Sequence, residues 1–502
     1  MFASSSLLGP RLLCLCLLGA CTTAHLSEQL DASTEIADGP AVPQDGAQPD
    51  RPPKAMLRVL FIGNSFTYVN ELPTVLASLT SDVQSPVSVT VAEHAPGGAT
   101  WEDHDSDAAI GPLIQQGWDY VVLQDQSQQP WLYYGGVKPS LLSLDAKIKA
   151  TGAKTMLFMT WARKVQLGLT SAQRFEEDMA INNYYERHAA AVGAEVSPVG
   201  RAWERVLRDP TMSLHSDDGV HPNEQGTYLA ACVFYAALTH TSPLGLGSGG
   251  LSVAPQERAL LQQAAWDTHN ARQRLLSPGI GVWPLSAAAG GHDLVPFPGV
   301  VLGGLPGPGG VAQAGTQFGP GEYAAIPYFQ GMNTAHFTVA LHAYRSDWSI
   351  PAANVYEALL NKNWGYGLWQ NQGNLEARLF TVDQNANPNA IPFLSYSVLG
   401  LTSGWHHFAM TYDGARDALS IDGAEVASGT ASGDLAYSKW LGPGVGAGAG
   451  SDYPFNAIAV GVATVDTALS GATPTALFTG SLADIRLFDR TLSQSEIQSI
   501  MH

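Results

Sequence analysis

From residue 57 onward the chain alternates short β-branched and apolar runs with longer stretches whose apolar positions recur every three to four residues. The runs at 57–62, 87–92, 120–123, 155–160 and 194–199 predict five buried strands, and the periodic stretches at 71–80, 141–150, 172–192 and 223–238 predict helices between them. Strands too apolar to leave a face in water, separated by lengths that suit crossover helices, predict a doubly wound parallel sheet with helices on both faces. In such sheets binding sites open at the carboxyl ends of the strands. A further amphipathic segment at 255–276 extends this region, and a Gly- and Pro-rich passage through about residue 309 marks a boundary. Beyond it the period changes to two: short runs at 337–344, 405–412, 418–421 and 482–488, punctuated by Gly, Asn and Asp, predict an all-β sandwich.

Composition supports two cores, since 502 residues exceed what one core usually organises and 45% are hydrophobic. A formal net charge of -19 leaves no basic stripe to neutralise a phosphate backbone, which excludes nucleic acid as a partner. The first 21 residues have the layout of a secretory signal, with Arg11 before an apolar run at 12–18 that is too short to span a bilayer. Leu18-Gly19-Ala20-Cys21 resembles the bacterial lipobox, which implies lipidation at Cys21, a membrane anchor at the cell envelope, and, with Thr22 following, passage to the outer membrane or cell surface. The alternative is an ordinary signal cleaved near Ala20. Residues 22–54, rich in Asp, Ala, Pro and Gln, read as a disordered tether. Of the 4 cysteines only Cys232 lies beyond Cys21, so the mature chain has no internal disulfide, and its place on an apolar helical stripe makes it core packing.

Candidate chemistry begins at the end of the first predicted strand, Phe61-Ile62-Gly63-Asn64-Ser65-Phe66-Thr67. A serine just past a glycine at a strand's carboxyl end suits a nucleophile, because the sharp turn exposes its hydroxyl and nearby backbone N–H groups. The same residues also make an ordinary turn in which Ser65 caps a helix. What shifts the balance is Asp218-Gly219-Val220-His221-Pro222-Asn223 before the last predicted helix of the region, where an Asp three residues before a His can orient its imidazole.

These blocks, over roughly residues 57–275, resemble the SGNH (GDSL-like) hydrolases, whose motifs supply Ser, Gly, Asn and a late Asp-x-x-His. The resemblance implies a flavodoxin-like three-layer α/β/α fold, with Ser65 as nucleophile, His221 as general base and Asp218 as the carboxylate that holds it; Asp217 is the neighbouring alternative. It further implies an oxyanion hole from the N–H groups of Ser65 and Gly98, in His94-Ala95-Pro96-Gly97-Gly98-Ala99-Thr100, with Gly97 as a substitute. The family's Asn is replaced: Val121-Val122-Leu123 leads into Gln124-Asp125-Gln126-Ser127, which puts Gln126 at the Asn position, with the same carboxamide one methylene further out. No cofactor is required by this chemistry.

Other clusters read as structural. Asp103-His104-Asp105-Ser106-Asp107 lacks the turn glycine and closing Glu of a calcium loop, so it reads as a solvated helix start. His215, Asp217, Asp218 and His221 have no second cluster with zinc spacing, which argues against a metal mechanism. Trp131, Tyr133, Tyr134 and Trp161 follow strand ends and are candidates either for a sugar subsite or for capping the core.

The C-terminal half carries Gly404-Trp405-His406-His407-Phe408-Ala409-Met410-Thr411-Tyr412-Asp413-Gly414, then Ile421-Asp422-Gly423, and closes on Phe478-Thr479-Gly480-Ser481-Leu482-Ala483-Asp484-Ile485-Arg486-Leu487-Phe488-Asp489-Arg490-Thr491-Leu492-Ser493. This half resembles the laminin-G-like, concanavalin-A-like jelly rolls, which implies a β-sandwich and makes carbohydrate a candidate ligand and Ca²⁺ a candidate ion. Because His406 and His407 alternate across a strand, one of them is expected to face solvent. The expected organisation is a signal at 1–21, a tether at 22–54, a hydrolase domain at 55–276, a linker at 277–309 and a jelly roll at 310–502. Together these point to a carbohydrate esterase, a deacetylase by preference. A lipase or lysophospholipase, or a surface binding lipoprotein with a decayed hydrolase domain, are the competing readings.

Overall fold

The computed structural model describes residues 55–133, 137–164, 171–276, 281–283, 285, 294–296, 300–329, 332, 334–348, 356–362, 365–381, 393–431, 435, 457–462 and 476–501. The signal segment with Cys21, the tether and Tyr134 lie outside the described residues, as does the side chain of Trp131.

In the first lobe five strands, β1 (Ala55–Ile62), β2 (Val87–His94), β3 (Tyr120–Leu123), β4 (Lys154–Phe158) and β5 (Glu195–Ser197), pair in parallel in the order β2-β1-β3-β4-β5. Among them run α1 (Ser65–Tyr68), α2 (Leu72–Ser81), α3 (Trp101–Ser106), α4 (Ile110–Ile114), α5 (Gln129–Leu132), α6 (Pro139–Lys149), α7 (Ser171–Val192), α8 (Val199–Leu207), α9 (Glu224–Thr239) and α10 (Pro255–Leu276). Alternate residues of a strand face opposite sides, and here both sides are apolar. Val59 and Phe61 of β1 join a core with Leu76 of α2, Phe234 of α9 and Leu261 of α10, whereas Leu60 and Ile62 join another with Ile110 of α4, Leu144 of α6 and Tyr184 of α7. The sheet is therefore covered on both faces, as the continuous apolar runs require. The strand order reverses between β1 and β3, which opens a crevice at their carboxyl ends.

The second lobe is an antiparallel sandwich of β6 (Gly281–Trp283), β7 (Val295–Pro296), β8 (Thr316–Phe318), β9 (Ala324–Ile326), β10 (Phe337–Arg345), β11 (Glu357–Lys362), β12 (Tyr366–Asn371), β13 (Asn374–Leu379), β14 (Phe393–Ser397), β15 (Gly404–Tyr412), β16 (Arg416–Ile421), β17 (Ala424–Thr430), β18 (Ile458–Val460) and β19 (Gly480–Phe488), with α11 (Gln494–Ser499) at the end. One sheet has the order β17-β16-β15-β10-β19-β6, with β8 also pairing β19, and the other β14-β13-β12-β11-β18-β9-β7. Phe337, Leu341, Leu368, Phe408, Leu419 and Ile485 meet between the sheets.

Two expectations are corrected. The passage expected as a linker contributes β6, which pairs with β19, and β7, which pairs with β9, so the sandwich begins at Gly281 and not at 310. Isolated strands of two or three residues carry too little periodicity to be read without their pairing partners. His406 and His407 are both buried, because β15 is an inner strand whose outer face is covered. Ile497 of α11 packs with Ala340 and Ala409 on that face, and the His342 ring beside His407 bonds the Met501 carbonyl at 3.2 Å. Burial pushes His407 down to about 3, so it sits there as a neutral ring.

The lobes share a core. Phe175 and Met179 of α7 pack with Val295, Tyr323, Ala325, Ala457 and Ala459 of the sandwich, and Asn182 Nδ2 donates to the Tyr328 carbonyl at 2.8 Å.

Candidate active site

The site starts from a steric demand at the end of β1. A Cβ on Gly63 would lie 2.3 Å from Thr67 Oγ1 and 2.6 Å from Gln124 Oε1, so only glycine lets the chain turn there. Gln124, the first residue after β3, accepts at Oε1 from the Asn64 N–H (2.9 Å) and the Thr67 hydroxyl (3.1 Å), so the two strand ends at the crevice are joined directly. Asn64, and not Ser65, caps α1: its Oδ1 accepts from the Phe66 N–H at 3.2 Å while its Nδ2 donates to the Ala99 carbonyl at 2.9 Å. Because Asn64 takes the capping role, the Ser65 hydroxyl is released for another partner.

That partner is His221, whose Nε2 lies 2.8 Å from Ser65 Oγ, with Nδ1 2.5 Å from Asp218 Oδ2. An ionised carboxylate only accepts, so the proton of this pair resides on Nδ1, and Nε2 is left to accept from the serine. Asp218 is itself held tightly: Oδ1 accepts from Ser216 Oγ (2.8 Å), the Val220 N–H (2.8 Å) and the His221 N–H (2.9 Å). Partial burial works against ionisation, but the bonds from His221 and from this backbone turn outweigh it and hold the carboxyl well below the usual carboxylate range.

The loop that carries His221 is fixed to the loop after β4. Trp161 Nε1 donates to the Val220 carbonyl (3.0 Å), the Lys164 N–H to the Gly219 carbonyl (2.9 Å), and His215 Nε2 to the Ala162 carbonyl (2.8 Å). The Trp161 ring is stacked between Phe66 (4.6 Å) and Trp203 (4.0 Å), and Phe66 meets the His221 ring edge-on at 5.7 Å. Ser65 and His221 are thus spaced by one aromatic stack rooted in the core. Trp161 is buried, which makes it a packing residue and not a sugar platform.

The expected oxyanion donors connect to this relay through intermediaries. Gly98 has φ +74, a conformation that favours glycine, and its loop is tied to the Ser65 turn by the Asn64–Ala99 bond. Gln126 is next to the buried Asp125; its Oε1 accepts from the Gln128 N–H at 2.7 Å and its Nε2 lies 3.5 Å from Ser127 Oγ. A cavity of about 230 Å³ adjoins Gly98, lined by Pro96, Gly97, Ala99, Asp103, His104 and Asp107. The Asp103 segment forms α3, with Thr100 and Asp103 in a reciprocal capping box, and His104 is buried with Nε2 2.9 Å from the Gly63 carbonyl. Asp217 is not part of the Ser65–His221–Asp218 relay. Cys232 is buried in the core, which pushes its thiol up to about 12.

Sequence reading did not single out Asn64, Gln124, Asp125, His104 or Trp203 for the site. The residues Gln124-Asp125 stand in the same motif as Gln126, so the motif itself was the available signal. Trp203 reaches the site only through its stack on Trp161, a contact distant in the chain.

Residues 318–473 match the family model described as the concanavalin A-like lectin/glucanases superfamily. That is the C-terminal sandwich. No curated protein matches the chain. Among solved structures, a DUF4886 family protein from Bacteroides uniformis is 20% identical, with 42% of this chain and 94% of that one covered and a TM-score of 0.36. A candidate SGNH hydrolase from Slackia heliotrinireducens is 29% identical, with 37% and 100% covered and a TM-score of 0.30. The binding domain of botulinum neurotoxin serotype D is 13% identical, with 41% and 46% covered and a TM-score of 0.29.

Proposed function

We propose that the chain is a serine esterase that acts on O-acetylated carbohydrate through an acyl-enzyme on Ser65. The observation that carries this reading is the relay from Ser65 Oγ through His221 to Asp218, at 2.8 and 2.5 Å. In it, Ser65 Oγ attacks the ester carbonyl carbon while His221 Nε2 takes the hydroxyl proton, and Asp218 stabilises the imidazolium that forms. The Ser65 and Gly98 N–H groups and the Gln126 carboxamide stabilise the negative oxygen of the tetrahedral intermediate. Collapse breaks the bond to the alcohol, which leaves with the proton from His221. Water then attacks the acyl-enzyme by the same route in reverse, releasing the acid and restoring Ser65.

Carbohydrate is proposed as the alcohol because the sandwich fused to this site belongs by its match to a superfamily named for lectins and glucanases. Export and anchoring through Cys21 complete the proposal and would set the enzyme at the envelope, facing external polymers. The test is hydrolysis of p-nitrophenyl acetate beside longer acyl esters and acetylated polysaccharides, with Ser65→Ala as control. Acetate-selective turnover lost in the variant is expected. Preference for long acyl chains would favour a lipase, and turnover unchanged without Ser65 would remove the catalytic assignment.

A further inference from the structure

We infer that Asp125 is the positioning residue that holds the Gly98 loop and the Gln126 loop in register with each other, and so sets the geometry of the oxyanion hole. The inference rests on the reading of Gly98 and Gln126 given above, and goes beyond it by naming what couples them. Asp125 follows β3 and is fully buried. Its Oδ1 accepts from two backbone donors at once: the Trp101 N–H at 3.0 Å, three residues past Gly98, and the Gln126 N–H at 2.9 Å. One carboxylate oxygen therefore joins both candidate donor loops. Rotation of either loop away from the other would strip a bond from a charge that has no water to replace it.

The other oxygen fixes the carboxylate itself. Oδ2 lies 2.9 Å from Lys138 Nζ and 2.5 Å from the Tyr184 hydroxyl, and the Asp125 N–H donates to the Tyr185 hydroxyl at 3.3 Å. Lys138, equally buried, spreads its remaining donors over the same two loops, to Glu102 at the start of α3 and to Gln129 at the start of α5, both at 2.8 Å. Burial pushes the Asp125 carboxyl up while the Lys138 ammonium and the Tyr184 hydroxyl oppose that. Desolvating two charges costs more than a fold ordinarily recovers from one pair, so stability alone is a poor reason for this arrangement, and a polar group that fixes the register of two segments is its better-attested use. Tyr184 lies on α7, two residues from Asn182, which bonds the sandwich lobe. One helix therefore contacts both Asp125 and the second lobe.

The test uses the full chain and four forms: wild type, Tyr184→Phe, Asp125→Leu, and the double variant Asp125→Leu/Lys138→Met, which removes the shared acceptor and leaves no unpaired buried charge. Each is measured below its own melting temperature for kcat and KM on p-nitrophenyl acetate, and by amide hydrogen exchange at residues 97–101 and 125–128. Expected are a fall in kcat of about 10-fold for Tyr184→Phe and of about 100-fold for the double variant. KM should stay near wild type, and exchange should rise in both loops together. A folded double variant with kcat within about threefold of wild type, or exchange that rises in one loop only, would overturn the inference. If wild type itself hydrolyses no ester, the esterase reading fails and the exchange measurement alone decides whether Asp125 couples the loops.

Discussion

Asp218→Asn tests the relay most sharply, because the structure dictates how the new amide must sit. Oδ1 of Asp218 receives three donors, Ser216 Oγ and the N–H groups of Val220 and His221, all at 2.8–2.9 Å. An asparagine can satisfy them only with its carbonyl oxygen, since turning the NH₂ toward them would leave the Val220 and His221 N–H groups unpaired. The NH₂ is thereby forced to face His221 Nδ1, which then accepts instead of donating. The ring proton moves to Nε2, facing Ser65 Oγ, where a base is needed and a donor is useless. Inverting a tautomer in this way costs about 10⁴-fold in turnover in a well-studied serine protease, or about 5 kcal/mol of transition-state stabilisation. The loop keeps its three backbone and hydroxyl bonds, so the melting temperature should hardly move. The assay is kcat on p-nitrophenyl acetate near neutral pH, together with the nitrogen chemical shifts of His221, which report which ring nitrogen carries the proton. A variant that retains turnover within about tenfold of wild type, or keeps its proton on Nδ1, refutes the assignment of Asp218 as orienter.

Three further outcomes are expected. Gly63→Ala would force a Cβ to within 2.3 Å of Thr67 Oγ1; overpacking of this kind costs about 2 kcal/mol and should displace Ser65, seen as a lower denaturation midpoint with kcat falling further than stability. His215 is pushed down by burial to about 4. Its folded state therefore binds fewer protons than the unfolded chain between the ordinary value and about pH 4, so stability is present above that window and is lost as pH falls through it. At about pH 5 the loss from this ring is about 2 kcal/mol, and a His215→Gln variant should show a correspondingly flatter decline in chemical-denaturation midpoints between pH 7 and 5. Phe175 is buried in the core shared by the lobes, so Phe175→Ala should cost about 3 kcal/mol and lower the calorimetric transitions of both lobes. A shift confined to one lobe would contradict that shared core.

Much of the first lobe was legible because its period is local. The strand at Tyr120–Leu123 and the helix at Pro255–Leu276 coincide with their predicted spans, and the remaining predicted strands and helices of this lobe differ from the observed ones by at most two residues at either end. Apolar continuity marks a strand buried on both faces, and recurrence at three and four marks a helix with one face buried. The sandwich was legible in its long inner strands, such as Phe337–Arg345 and Gly404–Tyr412, and illegible in β6 and β7, which exist as strands only because β19 and β9 pair with them. The His406–His407 pair went wrong for a related reason. Alternation tells which residues share a face, but whether that face meets water depends on where the C-terminal segment is laid down.

For the site, the sequence by itself determined the candidate groups and their order: a serine after a strand-ending glycine, a late Asp-x-x-His, and a carboxamide in the loop after β3. Those follow from local grammar, since a turn, a loop spacing and a helix start are each written within a few residues. Only the tertiary structure decided that Asn64 caps the helix in place of Ser65, that Gln124 joins the ends of β1 and β3, and that Asp125 meets Lys138 and Tyr184. Each of these depends on which strand ends become neighbours, and on a low-dielectric interior that obliges every buried polar atom brought there to find a partner from elsewhere in the chain.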